Sequence, residues 1–138
     1  AGTTAGEQMI EKLKADGITS GKIGVVSVNA ATDSTVSRDN GFRAAFEGTD
    51  FELLETQYAD GDAKRAQDFA EGFITQGCVG IFGTNENCAI GVGNAIKGNG
   101  GGVVGAFPGE GKASIGNLTG LTATNANINL TGLINSTT

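Results

Sequence analysis

With 138 residues, 38% of them apolar, the chain has room for one domain of ordinary size and enough apolar material for its core. A formal charge of -6, with nine Lys and Arg scattered along the chain, excludes the basic face that a nucleic acid partner requires. The absence of histidine removes the commonest metal ligand and the commonest general base near neutral pH, and two cysteines alone cannot complete a zinc site.

The elements follow from periodicity. Thr4 to Ala15 reads as an amphipathic helix with Ala5, Met9, Ile10 and Leu13 on one side, closed by a turn at Asp16-Gly17. Ile23 to Val28 is a short, β-branched run of the kind that forms a parallel strand covered on both faces. Ser34 to Phe46 is a second helix, Phe51 to Thr56 a second strand, and Ala63 to Thr75 a third helix that covers the sheet with Ala66, Phe69, Ala70, Phe73 and Ile74. Val79 to Gly83, Asn87 to Ile96 and Val103 to Phe107 continue as strand, helix and strand. Such alternation predicts βαβ units, hence a single α/β domain over residues 1–138 with a mostly parallel sheet.

The region beyond Pro108 is different in kind. Asn117-Leu118-Thr119-Gly120-Leu121 recurs as Asn129-Leu130-Thr131-Gly132-Leu133, but two copies are too few for a repeat architecture. Residues 109–138 are therefore expected to be a divergent short-strand and tail region. No apolar run approaches the roughly 20 residues that cross a bilayer, so no membrane insertion is expected. The chain opens with AGTTAGEQ, so any export signal is expected to be gone already. Cys78 and Cys88 lie on either side of one predicted strand, about 16 Å apart, too far for the 4.4 to 6.8 Å that a disulfide spans between Cα atoms.

Chemistry concentrates where the first strand meets the second helix. Asn29 to Ser37 supplies hydroxyls and amides at the carboxyl end of a strand, which is where open parallel sheets bind ligands. Asn29, Thr32, Asp33, Ser34 and Arg38 fall there, although Asp33 or Ser34 also suits a helix cap. Catalysis is not expected. Ser34 and Ser37 have no histidine to activate them, and Glu55, Asp60, Asp62 and Glu86 read as solvated charges or helix-dipole partners.

Five segments in order carry a resemblance: KIGVVSVNAATDSTVSRDNGFRAAF from Lys22, ELLETQYADGDAKRAQ from Glu52, VGIFGTNENCAIGVGNAIK from Val79, VVGAF from Val103, and GLTATNAN from Gly120. Together they resemble the C-terminal lobe of a type I periplasmic, ribose- and galactose-class sugar-binding protein of ABC transporters. The resemblance implies a three-layer α/β/α sandwich and a chemically inert solute receptor, with no cofactor, no metal and no catalytic residue. It also implies a periplasmic or extracellular location, as a cell-surface lipoprotein in a Gram-positive source.

The same resemblance implies a ligand set. Arg38 matches the arginine before Gly-Phe in the family's second helix, where a guanidinium fork bonds adjacent sugar hydroxyls or a ring oxygen. Asn85 matches the asparagine of the pair after the third strand, and Asn127 stands where the family usually has glutamine near the hinge. Asp33 belongs to the loop already described. The family's Gly-Phe-Asp after the fourth strand is here Gly105-Ala106-Phe107-Pro108, so the acidic ligand is missing. Either Phe107 stacks on a sugar face instead, or the register slips and binding is weakened. The helix that normally follows is expected to shrink to Gly109 to Ile115.

The implied partners are a monosaccharide-like small molecule, an N-terminal lobe not contained in this sequence, and an ABC permease reached through the full receptor. Two other classes fit the same fold. One is a sugar-effector or flavodoxin-like signalling domain, although the loop at Asn29 to Ser37 lacks the glycine placement expected around a flavin phosphate. The other is a structural or assembly subunit whose Asn/Thr tail pairs with a neighbour's sheet edge.

Overall fold

The computed structural model describes residues 2–99, 103–109 and 112–117. Helix α1 (Gly2–Ala15) buries Ala5, Met9 and Leu13, a spacing of four that keeps them on one stripe. Gly17, at φ 81°, then turns the chain, and Ile18 N–H closes the helix end on Leu13 O at 2.8 Å. Strand β1 (Gly21–Ser27) is buried from Ile23 onward. Helix α2 (Asp33–Ala45) follows it, and α3 (Ala63–Thr75) begins at Asp62, whose carboxylate accepts from Lys64 N–H and Arg65 N–H. Strand β4 (Cys78–Gly83) leads into α4 (Glu86–Gly98), and β5 (Val104–Gly109) into β6 (Lys112–Asn117).

Two expectations are corrected. The strand expected over Phe51 to Thr56 is two pieces, β2 (Phe51–Leu53) and β3 (Gln57–Tyr58), both parallel to β1. The interruption has a polar cause. Leu54 N–H still donates to Ile23 O at 2.9 Å, but its carbonyl accepts from Arg43 Nη2 at 2.9 Å, and Thr56 Oγ1 donates to Asp39 Oδ2 at 2.7 Å. Arg43 on α2 thus takes over the Leu54 carbonyl, which would otherwise serve the ladder, and Asp39 holds the Thr56 hydroxyl beside it. The second correction concerns Gly109 to Ile115, expected as a shortened helix. The chain instead doubles back, and β6 pairs antiparallel with β5 from Gly109↔Lys112 to Val104↔Asn117.

The strand order is β2-β1-β4-β5-β6, with β3 beside β1, and every pairing except β5 with β6 is parallel. Helices α1 and α2 cover one face, where Met9, Leu13, Ile23, Val25, Phe42 and Phe82 form a core. Helices α3 and α4 cover the other, where Val26, Ala70, Phe73, Ile81, Val92 and Ile96 form a second. This is the three-layer α/β/α sandwich expected. Alternate residues of each strand serve opposite cores, Val25 and Phe82 one and Val26 and Ile81 the other.

Two close approaches depend on glycine. A Cβ on Gly24 would lie 2.5 Å from the Phe73 ring, so its absence lets α3 settle onto β1. A Cβ on Gly91 would lie 2.5 Å from Ala63 O, so α4 meets α3 backbone to backbone. The order also positions a site. From β1 the chain moves to one side for β2 and β3, then returns to β4 on the other side. The connections that follow β1 and β4 therefore part on opposite faces, which opens a crevice above their carboxyl ends.

Candidate functional site

Two buried hydroxyls floor that crevice. Ser27 closes β1 and Thr84 follows β4; both are buried, and their hydroxyl oxygens lie 2.9 Å apart. Thr84 N–H extends the ladder to Val26 O at 3.0 Å. Its carbonyl has no strand partner, and Arg38 supplies one: Nη1 reaches across from α2 and donates to Thr84 O at 2.8 Å. The half-buried guanidinium makes no other hydrogen bond among the described residues, so its remaining N–H groups have no protein partner there.

Asn85 is the next residue along. It is the N-cap of α4, with Oδ1 accepting from Cys88 N–H at 2.9 Å, while Nδ2 makes no hydrogen bond among the described residues. An amide so held presents its donor end first. The loop after β1 is shaped by Asn29, whose Oδ1 accepts from Ala31 N–H at 2.8 Å and Thr32 N–H at 2.7 Å. That turn makes Thr32 the N-cap of α2, without a side-chain cap bond. Neither Asp33 nor Ser34 caps the helix. Asp33 is exposed in the first turn, five residues before Arg38, where its charge suits the helix dipole. The loop after β3 is tied to α4 through Asn87 Nδ2, which donates to Gly61 O at 2.9 Å.

Arg38 and Asn85 are therefore brought together, joined through the peptide of Thr84, with Asp33 on the same helix as Arg38. The side chain of Phe107 and all of Asn127 lie outside the described residues. Thr84 and Ser27 were not singled out in sequence, because small hydroxyls at strand ends carry no charge or spacing signal. The acidic residues of the rim have structural work: Asp62 caps α3, and Asp60 pairs with Arg65 at 3.1 Å.

Cys78 and Cys88 are free and buried. Burial pushes each thiol up to about 11, against a partial pull downward from Lys22 at Cys78 and from the Asn85 and Thr84 contacts at Cys88. Among the described residues no group of three or more His, Cys, Asp or Glu is placed to hold a metal ion, and no helix is long and apolar enough to cross a membrane.

The sequence pattern of the periplasmic binding protein domain matches residues 1–133. The chain belongs to the periplasmic binding protein family. An ABC transporter solute binding protein from Agrobacterium vitis with bound D-fucose is similar to this family member at 31% identity and a TM-score of 0.69, over 77% of this chain and 37% of its own. A second such protein from Agrobacterium vitis, bound with α-D-tagatopyranose, is 23% identical with a TM-score of 0.67, over 77% of this chain and 36% of its own. An arabinose binding protein from Geobacillus stearothermophilus is 22% identical with a TM-score of 0.66, over 77% of this chain and 37% of its own. The chain thus spans little more than a third of the length of these structures. No curated protein matches the sequence significantly. The resemblance seen in the sequence is borne out at the level of family and fold.

Proposed function

We propose that this chain is the C-terminal lobe of an ABC transporter sugar receptor, non-catalytic, which hydrogen-bonds a monosaccharide-like ligand at the carboxyl edge of its sheet. The observation that carries the reading is the junction of Arg38 and Asn85 at Thr84, directly above the reversal of strand order. The free guanidinium edge and the Asn85 Nδ2 donor suit neighbouring sugar hydroxyls, and Asp33, with Phe107 and Asn127, completes the proposed ligand set. An N-terminal lobe closes over the ligand, and the closed form is presented to a permease. The receptor works in the periplasm or at the cell surface. D-fucose bound in the 31% identical relative makes a six-carbon monosaccharide the first probe.

One open lobe binds weakly. Each neutral hydrogen-bond pair returns only about 0.5 to 1.5 kcal/mol after water is displaced, so three or four of them give about millimolar affinity once association entropy is subtracted. A hundredfold excess of D-fucose over that dissociation constant raises stability by about 2.7 kcal/mol. Arg38→Ala is expected to remove this stabilisation and to leave the far-ultraviolet circular dichroism unchanged. Undiminished stabilisation in the variant would take Arg38 out of the site.

A further inference from the structure

Helix α2 is held at three points around its axis. Phe42 stacks on Phe82 of β4, with ring centroids 4.4 Å apart and planes inclined by 15°. On the other flank, Asp39, Arg43 and Thr56 form a closed polar triangle. Arg43 Nε donates to Asp39 Oδ1 at 2.9 Å, Thr56 Oγ1 donates to Asp39 Oδ2 at 2.7 Å, and Arg43 Nη2 donates to Thr56 Oγ1 and to Leu54 O. Asp39 and Thr56 are buried, at 7% and 8% exposure, so the bond between them is shielded from competing water, while the Arg43 side chain keeps 32% exposure. The third point is Arg38, which sits next to Asp39 in sequence and grips Thr84 O across β1.

The sequence neighbours Arg38 and Asp39 therefore pull α2 toward opposite sides of one strand. Asp39 engages the break between β2 and β3, while Arg38 engages the end of β4. Turning a helix by about 10° displaces a group about 6 Å from its axis by about 1 Å, enough to lose a hydrogen bond. We propose that Asp39, Arg43 and Thr56 are positioning residues that lock the rotation of α2 and thereby aim the Arg38 guanidinium at the crevice. The interruption between β2 and β3 is then part of the ligand site's construction, because it frees the Leu54 carbonyl to accept from Arg43 beside the triangle. The aiming is a property of the ligand-free chain, and only its consequence for affinity rests on the sugar-binding reading.

The test has a ligand-free arm and a binding arm. In nuclear magnetic resonance spectra of the labelled chain, the Arg38 Hη protons held by Thr84 O are expected to resolve as slowly rotating signals. Thr56→Ser keeps the hydroxyl and is expected to preserve them; Thr56→Val keeps the shape, removes the hydroxyl and is expected to collapse them into one averaged signal. In the binding arm, Thr56→Val is expected to weaken D-fucose binding about fivefold, and Thr56→Ser, which keeps the hydroxyl, less than twofold. Arg38 signals untouched by Thr56→Val, or equal losses of affinity in Thr56→Val and Thr56→Ser, would overturn the proposal and leave the triangle a local stability feature. A chain that ignores D-fucose while its Arg38 signals respond as stated would refute the sugar reading and uphold the positioning role.

Discussion

Removing one hydroxyl from the floor of the crevice should cost more than removing both. Ser27 and Thr84 are 1% and 0% exposed, and their oxygens lie 2.9 Å apart. Ser27→Ala leaves the buried Thr84 hydroxyl with only its weak contact to the Cys88 thiol, at a cost of about 1 to 3 kcal/mol. Thr84→Val removes the partner of the Ser27 hydroxyl at a similar cost while keeping the β-branched shape. In the double variant neither polar group remains to be satisfied, and the loss should shrink to under about 1 kcal/mol. The coupling energy across the cycle is then about 1 to 6 kcal/mol in favour of the double variant. For a chain of this size each kcal/mol moves the Tm by about 3 to 4 °C, so the single variants should melt about 3 to 12 °C early and the double variant within about 4 °C of the parent temperature. Urea unfolding with a constant m-value would confirm that stability alone has changed. Strictly additive losses would show that the two hydroxyls do not depend on each other, and the account of a sealed floor beneath Arg38 would fail.

Gly24→Ala should destabilise by about 1 to 3 kcal/mol, since the new Cβ would meet the Phe73 ring at 2.5 Å in a packed core. Gly72→Ala, in the same helix as Phe73 but with nothing within 4 Å of its new Cβ, should stabilise by about 0.5 to 1 kcal/mol; thermal melts that reversed this order would contradict the packing described. The two thiols give a pH signature. Their folded values of about 11 exceed the ordinary 9.0, so the native state holds protons that the unfolded chain releases first. That contribution is fully present below pH 9 and is lost as pH rises through 11, and stability measured across this window should fall. Thiol labelling at pH 8 should be slow in the native chain and fast in urea; rapid native labelling would place the cysteines at the surface.

The helices were legible because their covered faces keep a strict spacing. Ala66, Ala70 and Phe73 of α3 are buried as periodicity implied, and its bounds, Ala63–Thr75, are those expected. The split between β2 and β3 was not legible. Phe51 to Thr56 reads as one extended run, and it is Arg43, arriving from α2, that draws the Leu54 carbonyl out of the ladder, with Asp39 holding the Thr56 hydroxyl beside it. A short strand was expected somewhere in residues 109–138, but its place at β6, where a shortened helix was expected, was not legible: Lys112 to Asn117 mixes small and polar residues with a lone Ile115, so its strand state comes from pairing with β5 and not from its own pattern. The polar loop after β1 marked Arg38 from residue chemistry alone. Asn85 entered only through family resemblance, since an asparagine before a helix reads first as a cap, which it also is.

The most direct measurement of the central claim is a chemical-shift map of D-fucose titrated into the labelled chain at up to about 100 mM. Shifts are expected to concentrate at one end of the sheet, on Asn29 to Thr32, Thr84 and Asn85, and on the Arg38 side chain. Silence is expected at the opposite end, on Gly21, Phe51 and Cys78, where the same strands begin. Shifts at that far end, or none anywhere, would contradict the claim.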